Sequence, residues 1–519
     1  MASSTAEIAR RKLSQRIFFV FPLAITIFLA ACGGVTGQLT TFTPPPPVNL
    51  TAADVTALIQ AAAQAADPNT MVIAVVDRAG RVLGVYRKPS APTLATGNFG
   101  ALVDVNELAV SLARTGAFFS NDQAPLSSRT VRFISGIHFP PGVTNAANAA
   151  LYGIENSNRG CTLSTNYDAG KSIPPALSIG GTSPGLGITT GKADLPDSIA
   201  GAVNPGGVPL FRNGSLIGGI GVAGVSSDVA EYAAYAAATS NGFGPAPAAP
   251  GVVFIDGVAL PFVNQTTRPA GFGAGSFTGS FSAGPVASAG PPPEGTLITS
   301  APGTLGGLSA SDVTQIINNA VATASKTRAV IRLPIGSSAR MAIAVADLDG
   351  EIIGLYRMAD STVFSIDVAA TKARNMVYFS GGSRTTTDLA GVPIGTAVTN
   401  RTIGYGAQPF FPPGIDGSAA GPFFNLYQQD VANPCTQGFQ ASGPNQSGMV
   451  FFPGSLPLYR SGILAGGLGV SGDGVDQDDV VTQGGQVNFG VPTSILRADQ
   501  TFVRGVRLPY QKNDRNPQG

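Results

Sequence analysis

His138 is the sole histidine of this 519-residue chain, and Cys32, Cys161 and Cys435 are its cysteines. Zinc sites built from Cys and His are excluded by that count. A Ser-His-Asp triad, or imidazole ligation of a metal centre, could use only His138. Phe410 stands at the matching place in an internal repeat, so a site present in both copies cannot depend on the imidazole. Two runs, Gly219-x-Gly221-x-x-Gly224 and Gly467-x-Gly469-x-x-Gly472, fit the G-x-G-x-x-G pattern of dinucleotide binding. That fingerprint needs the turn between a parallel strand and a helix, with an acid about 20 residues on. Here the glycines fall inside the second strand of a hairpin, and positions 240–250 hold no Asp or Glu. The better reading is bare backbone that lets another backbone or a flat ligand approach the sheet.

Charged residues are repeated too. Asp473, Asp476, Asp478 and Asp479 form an acidic cluster, matched thinly by Asp228 and Glu231. Carboxylates could hold calcium, but the spacing is not that of an EF-hand loop. Acids at a helix start are favoured by the helix dipole and need no metal. Arg87 and Arg357 end equivalent strands, and Arg129 and Arg401 sit in equivalent loops. Arginines kept in both copies either meet carboxylates of a ligand or brace the fold.

The elements that must position these groups are written twice. GVPLFRNGSLIGGIGVAG (207–224) returns as SLPLYRSGILAGGLGVSG (455–472), and MVIAVVDRAGRVLGVYR (71–87) returns as MAIAVADLDGEIIGLYR (341–357). Asn213-Gly214 marks a two-residue hairpin turn, with Ser461-Gly462 in the same place. Thr51-x-x-Asp54 and Ser309-x-x-Asp312 start amphipathic helices, followed by Val55, Leu58, Ile59 and Val313, Ile316, Ile317 at helical spacing. Further helices are predicted over Val105–Phe119 and Ser365–Phe379 and from near Asp228 and Asp476, and last strands near Val252–Phe262 and Thr501–Tyr510. Between them lie long Gly/Pro-rich insertions, about 121–205 and 381–453. Consecutive strands joined by tight turns pair antiparallel. The expected fold class is therefore α+β, two tandem copies of a domain with one five-stranded antiparallel sheet flanked by helices.

Charged residues make up only 12% of the chain, while Gly (67) and Pro (40) are abundant, which describes compact apolar domains with long loops. Arg10, Arg11, Lys12 and Arg16 precede an apolar run, Ile17–Ala31, ending Leu29-Ala30-Ala31-Cys32. A basic region, a short apolar stretch and small residues before the cut mark a secretory signal. The ending resembles a bacterial lipobox, which implies lipidation of Cys32 and, with Gly33 behind it, an outer-membrane location in the cell envelope. Removal of residues 1–31 leaves 27 basic and 29 acidic residues, without a basic stripe, so nucleic acid is not an expected partner. The expected organisation is a signal peptide (1–31), a Thr/Pro-rich tether (32–49), copy 1 (50–263), a Gly/Pro/Ala/Ser linker (264–307), copy 2 (308–511) and a tail (512–519). Cys161 and Cys435 occupy equivalent places, and export permits a disulfide between them; separately buried thiols are the alternative.

IAVADLDGEIIGLYRMAD (342–360), ATKARNMVYFS (370–380) and GSLPLYRSGILAGGLGVSGDGVDQDD (454–479) together resemble the GlcG/HbpS-like haem-binding family, also called haem-degrading domains. The second copy is nearer the pattern; the first has Leu112 for a lysine and Ala223 for a serine. The resemblance implies a profilin- or PAS-like sheet, haem or a related tetrapyrrole as cofactor, and oligomeric assembly. On that reading the glycines admit the ring and basic side chains meet its propionates. The expected binding residues are Arg357, Lys372, Arg374, Gly466, Gly469 and Gly472 in copy 2, and Arg87, Gly218, Gly221 and Gly224 in copy 1. No nucleophile–base pair is repeated, so no catalytic residue is assigned. The alternative function is a non-catalytic envelope scaffold, an internal pseudo-dimer that binds a protein or polymer partner.

Overall fold

A computed structural model describes residues 49–97, 101–135, 161, 177–180, 185–189, 204–244, 253–255, 258–413, 415, 417–441 and 443–512. The expected signal peptide, Cys32 and His138 lie outside these residues.

In the first half, the Thr51 capping box starts α1 (Ala52–Ala65), which is followed by β1 (Val72–Asp77) and β2 (Val82–Arg87). A small hairpin, β3 (Leu94–Thr96) with β4 (Leu102–Asp104), leads into α2 (Val105–Phe119), capped by the Asp104 carboxylate, and α3 (Ser128–Ser135). The glycine ribbon is β5 (Gly207–Arg212) and β6 (Ser215–Ala223), then α4 (Ser227–Ser240). A second hairpin, β7 (Phe254–Ile255) with β8 (Val258–Ala259), and β9 (Ser280–Ala283) complete this half. The second half begins with β10 (Gly295–Ile298), then α5 (Ala310–Ala324), β11 (Met341–Ala346), β12 (Ile352–Arg357) and α6 (Phe364–Ser380). It continues with α7 (Asn400–Gly406), α8 (Phe424–Ala432), β13 (Ser455–Arg460), β14 (Ile463–Gly472), α9 (Val475–Gly485) and a hairpin of β15 (Phe502–Val503) and β16 (Val506–Arg507).

Each half builds a five-stranded antiparallel sheet, ordered β5-β6-β1-β2-β9 and β13-β14-β11-β12-β10. The registers agree: Ala74 pairs with Gly221, and Ala344 with Gly469. Side chains of β1 alternate between two cores. Ile73 and Val75 pack with α1 and α4, whereas Val72, Ala74 and Val76 pack with α2, so the sheet lies between two helical layers.

The edge strands correct the sequence reading. The runs near Val252–Phe262 and Thr501–Tyr510 form only the short hairpins β7–β8 and β15–β16, outside both sheets. The fifth strand of each sheet comes instead from 264–307, as β9 against β2 and β10 against β12. An edge strand needs backbone groups to pair and little side-chain packing, so a Gly/Ser-rich segment suffices. The 381–453 insertion carries α7 and α8, and its Leu389, Ile403, Leu426 and Phe451 share a core with Phe379 of α6, Leu456 of β13 and Leu508.

A seam joins the halves. Phe119 stacks on Phe364 at 4.1 Å, and Asp360 receives both Arg78 and Arg332 at 2.5 Å. Cys161 and Cys435 are disulfide-bonded, their Cα atoms 5.3 Å apart.

Candidate functional site

The glycine ribbons face helices. A Cβ on Gly219 or Gly221 would lie under 3.0 Å from the carbonyl oxygens of Ala113 and Ala109 on α2. Gly467 and Gly469 stand in the same way against Ala373 and Ala369 on α6. Glycine is required because a helix backbone rests directly on the strand. Gly218 and Gly466 instead meet the carbonyls of Val76 and Ala346 on the neighbouring strand, and Gly472 meets that of Arg340. At Gly218, Gly221, Gly466, Gly469 and Gly472, then, the approaching group is protein backbone, one of the two alternatives read from the sequence. Of the expected residues, Gly224 lines a cavity in the first half and Arg374 a smaller one, of about 110 Å³, in the second.

The repeated arginines and Lys372 turn inward. Arg87 donates from Nη1 to Asn106 Oδ1 at 2.8 Å and from Nη2 to the carbonyls of Ala91 and Pro92, each at 2.9 Å. Arg357, fully buried, donates to the carbonyls of Ser361 and Pro293, and burial pulls it down to about 9. Arg374 donates from Nε to Gly350 O at 2.9 Å and from Nη1 to Ser447 Oγ at 3.0 Å. Arg129 pairs with Glu231 at 2.6 Å, and Arg401 with Asp479 at 2.6 Å and Asp476 at 2.7 Å. These side chains brace the fold.

The acidic cluster is consumed by the same bracing. Asp473 takes Arg332 at 2.8 Å, and Asp478 takes Lys372 Nζ at 2.9 Å. Burial raises Asp473 and Asp479 and pushes Asp478 up to about 7, with Lys372 opposing the rise. Burial likewise lowers Lys372. Among the described residues no group of three or more His, Cys, Asp or Glu could hold a metal ion.

The open site lies in the first half, at the C-terminal end of β6. A cavity of about 700 Å³ is lined by Leu108 and Leu112 of α2, Val222 and Ala223 of β6, Gly224, and Ala230 of α4, with Pro92 and Pro205 beside them. Arg132 of α3, itself buried, and Thr70, Thr96, Asn204, Ser226 and Ser227 supply its polar groups. The volume falls within the range of small-molecule sites, roughly 300–1,000 Å³. Such a cavity can bury an apolar body and meet a carboxylate with one guanidinium.

Sequence reasoning missed Ala230 and Arg132, and it weighed Leu112 only as a departure from the lysine pattern. The usable signal was the paired exchange: Leu112 for Lys372 and Ala230 for Asp478 replace two opposite charges, paired in the second half, with two apolar groups.

Residues 308–486 match the family model described as "Haem degrading protein HbpS-like". No curated protein matches the chain. Among solved structures, a PduOC–haem complex is 24% identical, covering 36% of this chain and 97% of that one, with a TM-score of 0.24. Klebsiella pneumoniae protein ORFY is 19% identical, covering 34% and 88%, with a TM-score of 0.23. A double mutant of Streptomyces reticuli HbpS is 16% identical, covering 35% and 85%, with a TM-score of 0.21. The family match spans the stretch from α5 to α9.

Proposed function

We propose that this chain is an exported, lipid-anchored protein that binds haem or a related planar small molecule in the first-half cavity. On this reading the two halves are copies of one profilin- or PAS-like domain, of which the second carries the family match. The cavity carries the proposal: its lining combines apolar side chains of α2, β6 and α4 with polar groups that include the Arg132 guanidinium. The HbpS-like match over 308–486 supplies the ligand class.

The residues fit the macrocycle better than its iron. Leu108, Leu112, Val222 and Ala230 would pack the ring, and Arg132 would meet a propionate. The described lining holds no His, Cys, Met or Tyr to reach a metal. Haem, when bound, supplies redox chemistry through its iron; this chain's residues bind and orient it and exclude water. Haemin and metal-free protoporphyrin should therefore bind within about threefold of each other. Gly224→Val and Ala230→Phe should each weaken both at least tenfold. A titration with no Soret change and no saturation would refute binding.

Export and anchoring rest on the signal-like residues 1–31 and on Cys32. Cys32→Ala should move the protein from the membrane fraction to the soluble one, with loss of the acyl mass. A scaffold role is favoured by one observation, the seam locked by Phe119–Phe364 and the Cys161–Cys435 bridge. Natively purified protein carrying no tetrapyrrole but a stoichiometric partner would select that reading.

A further inference from the structure

We infer that ligand uptake is confined to the first half, because a plug of side chains fills the matching place in the second. The inference rests on the proposed binding reading and specifies which half carries it. The equivalence is geometric. The absent Cβ of Gly221 would touch Leu112 Cβ at 3.1 Å, and that of Gly469 would touch Lys372 Cβ at 2.9 Å. Likewise Gly206 faces Val222 O at 2.6 Å and Ala230 Cβ at 3.0 Å, and Gly454 faces Val470 O and Asp478 Cβ. Leu112, Val222 and Ala230 all line the first-half cavity. Their counterparts Lys372, Val470 and Asp478 close on one another: Lys372 Nζ donates to Val470 O at 2.8 Å and to Asp478 Oδ2 at 2.9 Å.

Two more replacements thicken the plug. Asn204 lines the cavity two residues before Gly206, whereas Phe452, two residues before Gly454, puts its ring 4.6 Å from Lys372 Nζ. Val225 lines the cavity just after Gly224, whereas Asp473, just after Gly472, is held by Arg332 and by the Val330 N–H donating to its carbonyl. Val330 and Arg332 belong to the stretch 325–340 between α5 and β11, which is longer than the 66–71 connection between α1 and β1. The half that matches the family is therefore solid at this position, and the diverged half is hollow.

The test moves the plug. Titration of the full chain with protoporphyrin IX should give one equivalent per chain. Leu112→Lys with Ala230→Asp should weaken binding at least tenfold; Ala230→Phe, which adds no charge, is the control should that variant fold poorly. In the second half, Lys372→Leu with Asp478→Ala should open a void that xenon enters in pressurised crystals, at a position empty in the wild type. Two equivalents in the wild type, xenon at Gly454–Val470 of the wild type, or no new xenon site in the variant would overturn the inference. Wild type that binds no porphyrin would overturn the functional reading, and the xenon result would still judge the plug.

Discussion

Removing Asp478 should damage this protein more than removing Asp478 and Lys372 together. The two side chains are buried, with Nζ and Oδ2 2.9 Å apart. At an effective dielectric near 20 their attraction is about 6 kcal/mol, and desolvation costs several kcal/mol per ion, so the pair roughly breaks even. Asp478→Ala leaves Lys372 without a hydrogen-bonded carboxylate, its remaining partners being Val470 O, the Phe452 ring and the neighbouring Asp479 charge. That should cost about 3–5 kcal/mol, as should Lys372→Leu with its stranded carboxyl. The double variant restores the pairing of residue types at Leu112 and Ala230 in the first half, so it should lie within about 2 kcal/mol of wild type. Urea unfolding of the four proteins at pH 7 reads this directly as a coupling of about 4 kcal/mol or more. A pH series adds a sign. Burial raises Asp478 from 3.8 to about 7, so the folded chain holds a proton that the unfolded chain has released in that window. Wild-type stability relative to the double variant should therefore fall as pH rises from about 4 to 7. Additive single costs, or a difference that rises with pH, would refute the reasoning.

Other consequences are open to measurement. Gly469→Ala forces a Cβ against the Ala369 carbonyl and should cost about 3 kcal/mol; Gly462→Ala, at φ +84° with open space around it, should cost only about 1 kcal/mol in the same thermal melts. Asp360→Asn removes the charge that Arg78 and Arg332 share across the seam and should cost about 2–4 kcal/mol, with faster proteolysis between the halves as the readout. Cys161→Ser with Cys435→Ser opens a link spanning 274 residues and should cost about 2–4 kcal/mol, read by non-reducing melts against wild type; an unchanged midpoint would count against the bridge.

Local codes were legible in the sequence because their physics is local. Both capping boxes form as read: Thr51 Oγ1 accepts from the Asp54 N–H at 3.1 Å, and Ser309 Oγ from the Asp312 N–H at 3.2 Å. Asn213-Gly214 and Ser461-Gly462 carry the positive φ values that their hairpin turns demand. The helix predicted over Val105–Phe119 has those bounds, and the antiparallel α+β sheets follow from tight turns between apolar strands. What the glycine strands face was not legible, since a missing side chain records only that something comes close; the folded chain places a helix there. The edge strands within 264–307 had no periodic signal, because backbone pairing alone holds them. The cavity is a product of the folded first half. It exists because Leu112, Ala230, Asn204 and Val225, scattered along the chain, converge on one point and are each too small or too apolar to close it, where Lys372, Asp478, Phe452 and Asp473 fill the same point in the other half.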